Sequence, residues 1–124
     1  MILHQLAYWL DHILAPVVMI DGLIFFKDGA ESEVSLRDRM RRHPSVEVAQ
    51  AFMNTVFLES FITEICGDDW TSDDPSAKAI LAIVRNAWCA RVASDFPGIE
   101  FWIEDVIDDE VGDFGLCLRS KVPV

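Results

Sequence analysis

The sequence predicts an α+β fold with about three to four helices packed on one face of a small antiparallel sheet. Three observations lead to this prediction. Apolar residues recur at helical spacing in several segments, the C-terminal segment alternates between apolar and polar residues, and Asp21-Gly22 separates two short apolar runs. A chain of 124 residues has the usual length of one domain. We therefore predict a single domain over 1–124 that ends in a β-hairpin over 99–119.

The N-terminal segment combines a helix with an apolar run that fits two structures. Apolar residues recur with a helical period from Leu3 to Leu14, and Pro16 ends this helix because proline cannot continue the backbone ladder. The run VVMIDGLIFF follows at 17–26. Its β-branched and aromatic residues favour a hairpin that turns at Asp21-Gly22 with both faces buried, while a helix is the alternative.

Capping signals predict three further helices in the middle of the chain. Ser35 opens a short helix that stops at the His-Pro pair 43–44. A wide apolar stripe then predicts one central helix from near Ser45 to Gly67, a natural stop. The third has Pro75 in its first turn, where proline is well tolerated, and the sequence DFPG breaks it at 95–98.

Alternation sets an expected register for the C-terminal hairpin. Pairing residues whose numbers sum to 219 places Phe101 opposite Leu118 and Glu100 opposite Arg119, so both faces match. The same register directs Asp105 towards the core, opposite Phe114. An unpaired charge would be costly there. We therefore expect either a bulge at Asp105 or a partner for its carboxylate.

Net charge restricts the partners of this protein. The formal charge is −11, and such a field repels nucleic acid and anionic membranes while it accelerates encounter with basic proteins. The apolar N-terminus has no basic flank, and acidic residues interrupt it well short of a membrane span. We predict a basic protein partner, and neither nucleic acid nor membrane.

The cysteines indicate a reducing compartment. Cys66, Cys89 and Cys117 are odd in number, form no CxxC pair and lie among apolar residues. Buried free thiols are therefore expected rather than disulfides or zinc ligands. A cytoplasmic location follows as the prediction.

Catalytic and metal-binding motifs are absent from the sequence. There is no glycine-rich phosphate loop, no GxSxG and no HExxH. His4 and Asp11 lie seven residues apart, nearly eclipsed on a helix, but no nucleophile is placed to complete a catalytic group. The acidic segments do not match the EF-hand spacing. We predict a protein that is not an enzyme and has no cofactor and no metal site.

The short basic run has two interpretations. Four arginines fall between Arg37 and Arg42. They can belong to a solvated helix and pair with nearby acids, in which case each pair contributes about 0–1 kcal/mol. Alternatively they belong to a bipolar interaction surface, or they form a self-association contact with the acidic hairpin.

The acidic hairpin is the predicted binding site. Its segment FWIEDVIDDEVGDFG holds six carboxylates and no basic residue. An exposed tryptophan rimmed by acids is typical of a binding hot spot, although this tryptophan could instead cover a helix or the other side of the sheet. The predicted protein-binding residues are Trp102, Glu104, Asp105, Asp108, Asp109, Glu110 and Asp113.

These features favour a small acidic inhibitor of the immunity or antitoxin type, which neutralises a basic effector such as a nuclease. Carboxylates placed like phosphates can fill a nuclease's substrate site, and long-range attraction speeds capture. The alternative is a structural or regulatory protein that forms a homo-oligomer, such as a homodimer, through its apolar N-terminal segment. A weaker alternative is a small enzyme that uses His4 and Asp11.

Overall fold

The computed structural model describes residues 3–122 and shows an α+β fold, as predicted. In chain order the elements are α1 (Leu3–Ile13), β1 (Val17–Ile20), β2 (Leu23–Phe26), α2 (Glu33–Met40), α3 (Val46–Met53), β3 (Thr55–Phe57), α4 (Glu59–Cys66), α5 (Pro75–Asp95), β4 (Phe101–Asp108) and β5 (Asp113–Ser120). Over these residues there are five helices and two antiparallel sheets, β1-β2 and β3-β5-β4. The helix count is slightly higher than predicted.

The apolar run at 17–26 is a hairpin. Ile20 pairs with Leu23, and the two turn residues, Asp21 and Gly22, both have positive φ (54° and 84°). This is the backbone of a tight two-residue turn whose twist matches the flanking strands. All four residues of β2 are buried, because alternate side chains enter two different cores. The prediction of a hairpin with buried faces is confirmed for β2.

The predicted central helix from 45 to 67 is wrong, because a strand interrupts it. Helix α3 ends at Met53, and Thr55–Phe57 join the edge of β5 before α4 begins. The β-branched residues Thr55 and Val56 of this segment favour a strand. Pairing with β5 therefore determines its conformation, although the apolar residues recur with a helical period. This break accounts for the additional helix.

Helix α1 buries a different face from the one predicted. Leu6, Trp9 and Ile13 face the core, and the Trp9 ring lies 5.5 Å from that of Phe61. Leu3, with its side chain 83% exposed, lies with Leu10 and Leu14 on an open face. Trp9 thus occupies the interface with α4. Helix α2 also begins earlier than predicted, with Ser32 rather than Ser35 as its N-cap.

Buried polar side chains join the two sheets. Asn54 Nδ2 donates to the carbonyl oxygens of Ile24 (2.9 Å) and Leu118 (3.0 Å), and its Oδ1 accepts from Phe26 N at 2.9 Å. Gln50, one turn earlier, donates to Ile24 O (3.0 Å) and accepts from Ser120 N (3.0 Å). These side chains replace the ladder hydrogen bonds that β2 and β5 do not make with each other. No local sequence pattern marks Asn54 or Gln50 for this role.

The C-terminal hairpin forms, but its register is two residues away from the predicted one. Phe101 pairs with Ser120, and Asp108 pairs with Asp113, which closes a four-residue turn. The predicted register needs a two-residue turn at Asp109-Glu110, a conformation that favours glycine or asparagine. In the structure Gly112 takes the positive φ (80°) in the longer turn. A shift of two residues keeps every side chain on its predicted face.

Candidate functional site

The structure separates the predicted site residues into two groups. Trp102, Glu104 and Asp105 lie along β4. Arginines of the same chain bind the two carboxylates, and one of these arginines lies over the Trp102 ring. The other four carboxylates lie at the turn between β4 and β5. The first group is therefore partly neutralised within the molecule, and the second group carries the free negative charge.

Trp102 lies on the outer face of the hairpin and is 44% exposed. Its Nε1 donates to Glu104 Oε1 at 2.9 Å, and the guanidinium of Arg119 lies 5.9 Å from the ring centroid. Arg119 Nη1 is also 3.6 Å from Glu104 Oε2. The register places Arg119 directly opposite Trp102, so the predicted pair of Arg119 with Glu100 is wrong, and Glu100 pairs with Lys121 instead. The tryptophan is held in place and keeps an open surface.

The carboxylate of Asp105 has a partner, which is one of the two outcomes expected for this residue. Arg85 of α5 binds its carboxylate through Nη2 and donates from Nη1 to Ile103 O at 2.7 Å. Asp105 pairs with Leu116 rather than Phe114, and it is exposed. Arg85 thus neutralises the carboxylate and covers part of the free edge of β4, which would otherwise offer backbone groups to another strand.

The turn carboxylates are arranged by local hydrogen bonds. Asp108 Oδ1 accepts from Glu110 N at 3.0 Å, which fixes the start of the turn. Asp109 Oδ2 accepts from Ser72 Oγ at 3.0 Å, and this contact joins the turn to the loop before α5. Glu110 is exposed, and Asp113 is half-buried.

The turn and this loop enclose an open cleft of about 650 Å³. Of the residues 3–122 that the structure describes, five carboxylates line it, and no lysine, arginine or histidine does. We call it the acidic cleft; its acids are Glu59, Asp68, Asp73, Asp109 and Asp113.

The wall of the acidic cleft is aromatic. Trp70 packs edge-on against Phe114, with ring centroids 5.3 Å apart, and its Nε1 donates to Thr63 Oγ1 at 2.8 Å. Glu59 Oε2 accepts from Phe114 N at 3.4 Å, which ties the start of α4 to the start of β5. A half-buried indole beside carboxylates provides both apolar contact and negative potential for a cationic side chain.

Three cleft acids were outside the sequence prediction. Glu59 begins α4, while Asp68 and Asp73 flank Trp70 in the loop between α4 and α5. The loop GDDWTSDD is visibly acidic in the sequence. The Ser72–Asp109 contact joins this loop to the β4–β5 turn, about 40 residues further along the chain. No local sequence pattern indicates that contact.

Little internal charge compensates the acidic cleft. Among the ion pairs of residues 3–122, one reaches a cleft acid, Lys78 Nζ to Asp73 Oδ1 at 4.0 Å, and both side chains are largely exposed. Within the same residues, no group of three or more histidine, cysteine or carboxylate side chains could hold a metal ion. The acids are spread around the cleft, as suits several separate cationic groups.

Three of the four arginines in the basic run, by contrast, pair with nearby acids. Arg37 binds Asp21 and Glu33, Arg41 binds Asp38, and Arg39 makes a two-pronged contact with Glu31 at 2.7 and 2.8 Å. The hydrogen bond from Arg39 lowers the pKa of Glu31 below its usual value. The geometry agrees with the interpretation of a helix whose arginines pair with nearby acids.

The residues of the weaker enzymatic alternative are not brought together into one site. Asp11 and His12 line a second cleft, of about 760 Å³, with Lys27 and Arg39, and His4 does not line it. The cysteines are free: Cys117 is buried, which raises the pKa of its thiol, but Cys66 is exposed, contrary to the prediction.

Family models, curated proteins and solved structures were compared with the chain, and none of them matches. Across residues 3–122, none of the helices has the length and apolar character needed to span a membrane.

Proposed function

We propose that this protein binds a basic protein partner through the acidic cleft and acts as a cytoplasmic inhibitor of the immunity or antitoxin type. The observation that supports this proposal is that, within the described part of the chain, five carboxylates and no basic side chain line the cleft. Arginines neutralise acids elsewhere on the surface, so the cleft is a focus of uncompensated charge in a molecule of charge −11.

A protein partner fits the cleft better than a metal ion or a nucleic acid. Among residues 3–122 no three histidine, cysteine or carboxylate side chains are grouped to hold one metal ion, and phosphates would be repelled. Lysine and arginine side chains projecting from a protein surface can meet spaced carboxylates one at a time, and arginine can also stack on Trp70. A basic nuclease presents such residues where it holds its own substrate, so occupation of that surface would block it.

The cleft and Trp102 can belong to one interface. Six residues separate Trp102 from Asp108 along β4, or about 20 Å at 3.4 Å per residue. Interfaces that bury about 800 Å² per partner reach this far. In this arrangement the turn acids attract the partner, and Trp102 anchors it.

Neutralising the cleft should abolish most of the binding. With a peptide of repeated arginine and glycine as the probe, we expect titration calorimetry to give an affinity at least tenfold lower for the neutral-cleft variant, because desolvated charge pairs are lost. The substitutions are Glu59→Gln, Asp68→Asn, Asp73→Asn, Asp109→Asn and Asp113→Asn.

A control set changes the net charge equally but leaves the cleft intact. It should retain most of the affinity at moderate salt, because screening limits distant charges. Equal losses in the two sets would show that net charge alone attracts the peptide, and would contradict a cleft site. The control substitutions are Asp28→Asn, Glu47→Gln, Glu64→Gln, Asp95→Asn and Glu100→Gln.

Inhibition needs its own measurement. If a basic protein is encoded beside this gene, it is the first partner to test, and its toxicity or nuclease activity can be assayed with and without this protein. We expect stoichiometric inhibition by the wild type and weak inhibition by the neutral-cleft variant. A neighbouring gene for an acidic metabolic enzyme would argue against the inhibitor role.

Trp102 should act as the anchor of the interface. Trp102→Ala is expected to weaken binding of the whole partner by about 2 kcal/mol, roughly 30-fold, as removal of a buried aromatic anchor does. Phe52→Ala is the matched control, because Phe52 is 72% exposed on α3 and lies outside both the cleft and the hairpin. Unchanged affinity of Trp102→Ala would remove this residue from the site.

A further inference from the structure

Helix α1 carries an apolar stripe that its own fold leaves open. Leu3, Ala7, Leu10 and Leu14 are all exposed, and their spacings of four, three and four residues form one seam along the helix. The core contacts of α1 use a different face, through Leu6, Trp9 and Ile13. The helix is firmly attached on that side, since Trp88 Nε1 donates to Ile13 O at 2.8 Å. The open stripe is therefore a surface on a fixed element.

The stripe is complementary to itself when two copies run antiparallel. A two-fold axis between residues 8 and 9 sets Leu3 opposite Leu14 of the second copy, and Ala7 opposite Leu10 of the second copy. Every layer is apolar, and the alanine gives room to the leucine that faces it. A second copy of this chain fills the stripe without any other partner.

The polar residues beside the stripe also fit the antiparallel arrangement of two α1 helices. His4 and Asp11 occupy equivalent positions on one side of the seam, and the equivalent flanks of two antiparallel helices face each other. His4 then lies beside Asp11 of the second copy, offset by about 3 Å along the axis, and the symmetry creates this pair twice. Within one copy the two residues are about 10 Å apart along the helix, too far to pair.

Net charge makes much of the rest of the surface unfavourable for contact between two copies. The chain carries a charge of −11, so most contacts between copies bring acids together. Helix α1 contains a single acid, Asp11, and no lysine or arginine. The second half of the apolar N-terminal segment cannot form the contact between copies, because Ile20 and all of β2 are buried within one copy. We infer that the protein forms a two-fold symmetric homodimer by antiparallel packing of α1 against α1 of a second copy, with two His4–Asp11 pairs at its flanks.

Sedimentation equilibrium tests this dimer directly. Eleven residues of helix make a small interface, so we expect reversible association at micromolar concentrations, from 14.0 kDa to twice that mass. Leu10→Asp should abolish the dimer without unfolding the chain, which circular dichroism checks. Ile83→Asp is the control, because Ile83 is equally apolar and is exposed on α5, away from the stripe. A wild type that stays monomeric at millimolar concentration, or equal loss of the dimer in the two variants, overturns the proposal.

A charge exchange tests the orientation of the helices. His4→Glu should weaken the dimer several-fold, because it places a carboxylate beside Asp11 of the second copy. Adding Asp11→Lys to that variant should restore association, because the exchanged charges attract in the antiparallel arrangement. Failure of the double variant to recover rules that arrangement out. Binding of the arginine peptide should be the same in all of these variants. Failure of the dimer proposal can therefore be distinguished from failure of the acidic-cleft proposal.

Discussion

Asn54→Ala is expected to lower the free energy of unfolding by about 3–4 kcal/mol, a large part of the stability of a domain of this size. The Asn54 side chain is fully buried and makes three hydrogen bonds, to Ile24, Phe26 and Leu118. Alanine removes all three bonds and leaves buried backbone groups of two sheets without these partners. Each such loss costs more than the bond itself contributes, because the groups cannot reach water.

Chemical denaturation measures this effect, and two further variants identify its cause. Asn54→Asp keeps the size of the side chain but removes its donor and directs a carboxylate at two carbonyl oxygens, so we expect a loss at least as large. Asn86→Ala is the control: Asn86 is exposed on α5, and its replacement should change stability by no more than about 0.5 kcal/mol. An Asn54→Ala protein as stable as this control would show that the two sheets do not depend on the buried amide.

The same residue shows what the sequence could predict. Turns encoded by adjacent residues were predictable, since Asp21-Gly22 places the hairpin turn that the structure contains. Asn54 looks like an ordinary polar residue inside a helical stripe, and its role depends on strands that arrive about 30 residues before it and 60 after it. The strand at Thr55–Phe57 was missed for a related reason, because pairing with β5 decides its conformation.

The candidate site divides in the same way. The acidic turn could be predicted from composition alone, and its strands kept their predicted faces although the register moved by two residues. Three of the five cleft acids could not be predicted, because Glu59, Asp68 and Asp73 reach the turn through tertiary contacts such as Ser72 with Asp109. Periodicity also misplaced the buried face of α1, since apolar residues occupy two adjoining faces and spacing does not say which one meets the core.

Gly115→Ala is expected to destabilise the protein by about 3 kcal/mol and to deform the acidic cleft as well. A Cβ at this position would lie 2.2 Å from Val56 O and 3.0 Å from Phe57 Cα. These are backbone atoms of the paired strand β3, so no side-chain rotation relieves the clash, and β3 must move away from β5. Gly29→Ala is the matched control, since its Cβ would meet nothing within 4 Å and its backbone is not strained.

Amide exchange should locate the damage caused by Gly115→Ala. Leu58 N donates to Phe114 O at 2.7 Å, and Leu118 N donates to Asn54 O at 3.2 Å, so both amides lose protection when β3 separates. Because Leu58 precedes Glu59 and Phe114 follows Asp113, the same separation shifts two carboxylates of the cleft relative to each other. Affinity for the arginine peptide should therefore fall in the fraction of Gly115→Ala that is still folded, and stay unchanged in Gly29→Ala. A folded Gly115→Ala protein with wild-type affinity would mean that capture of the peptide does not depend on the spacing of these acids, and that the cleft is not the site.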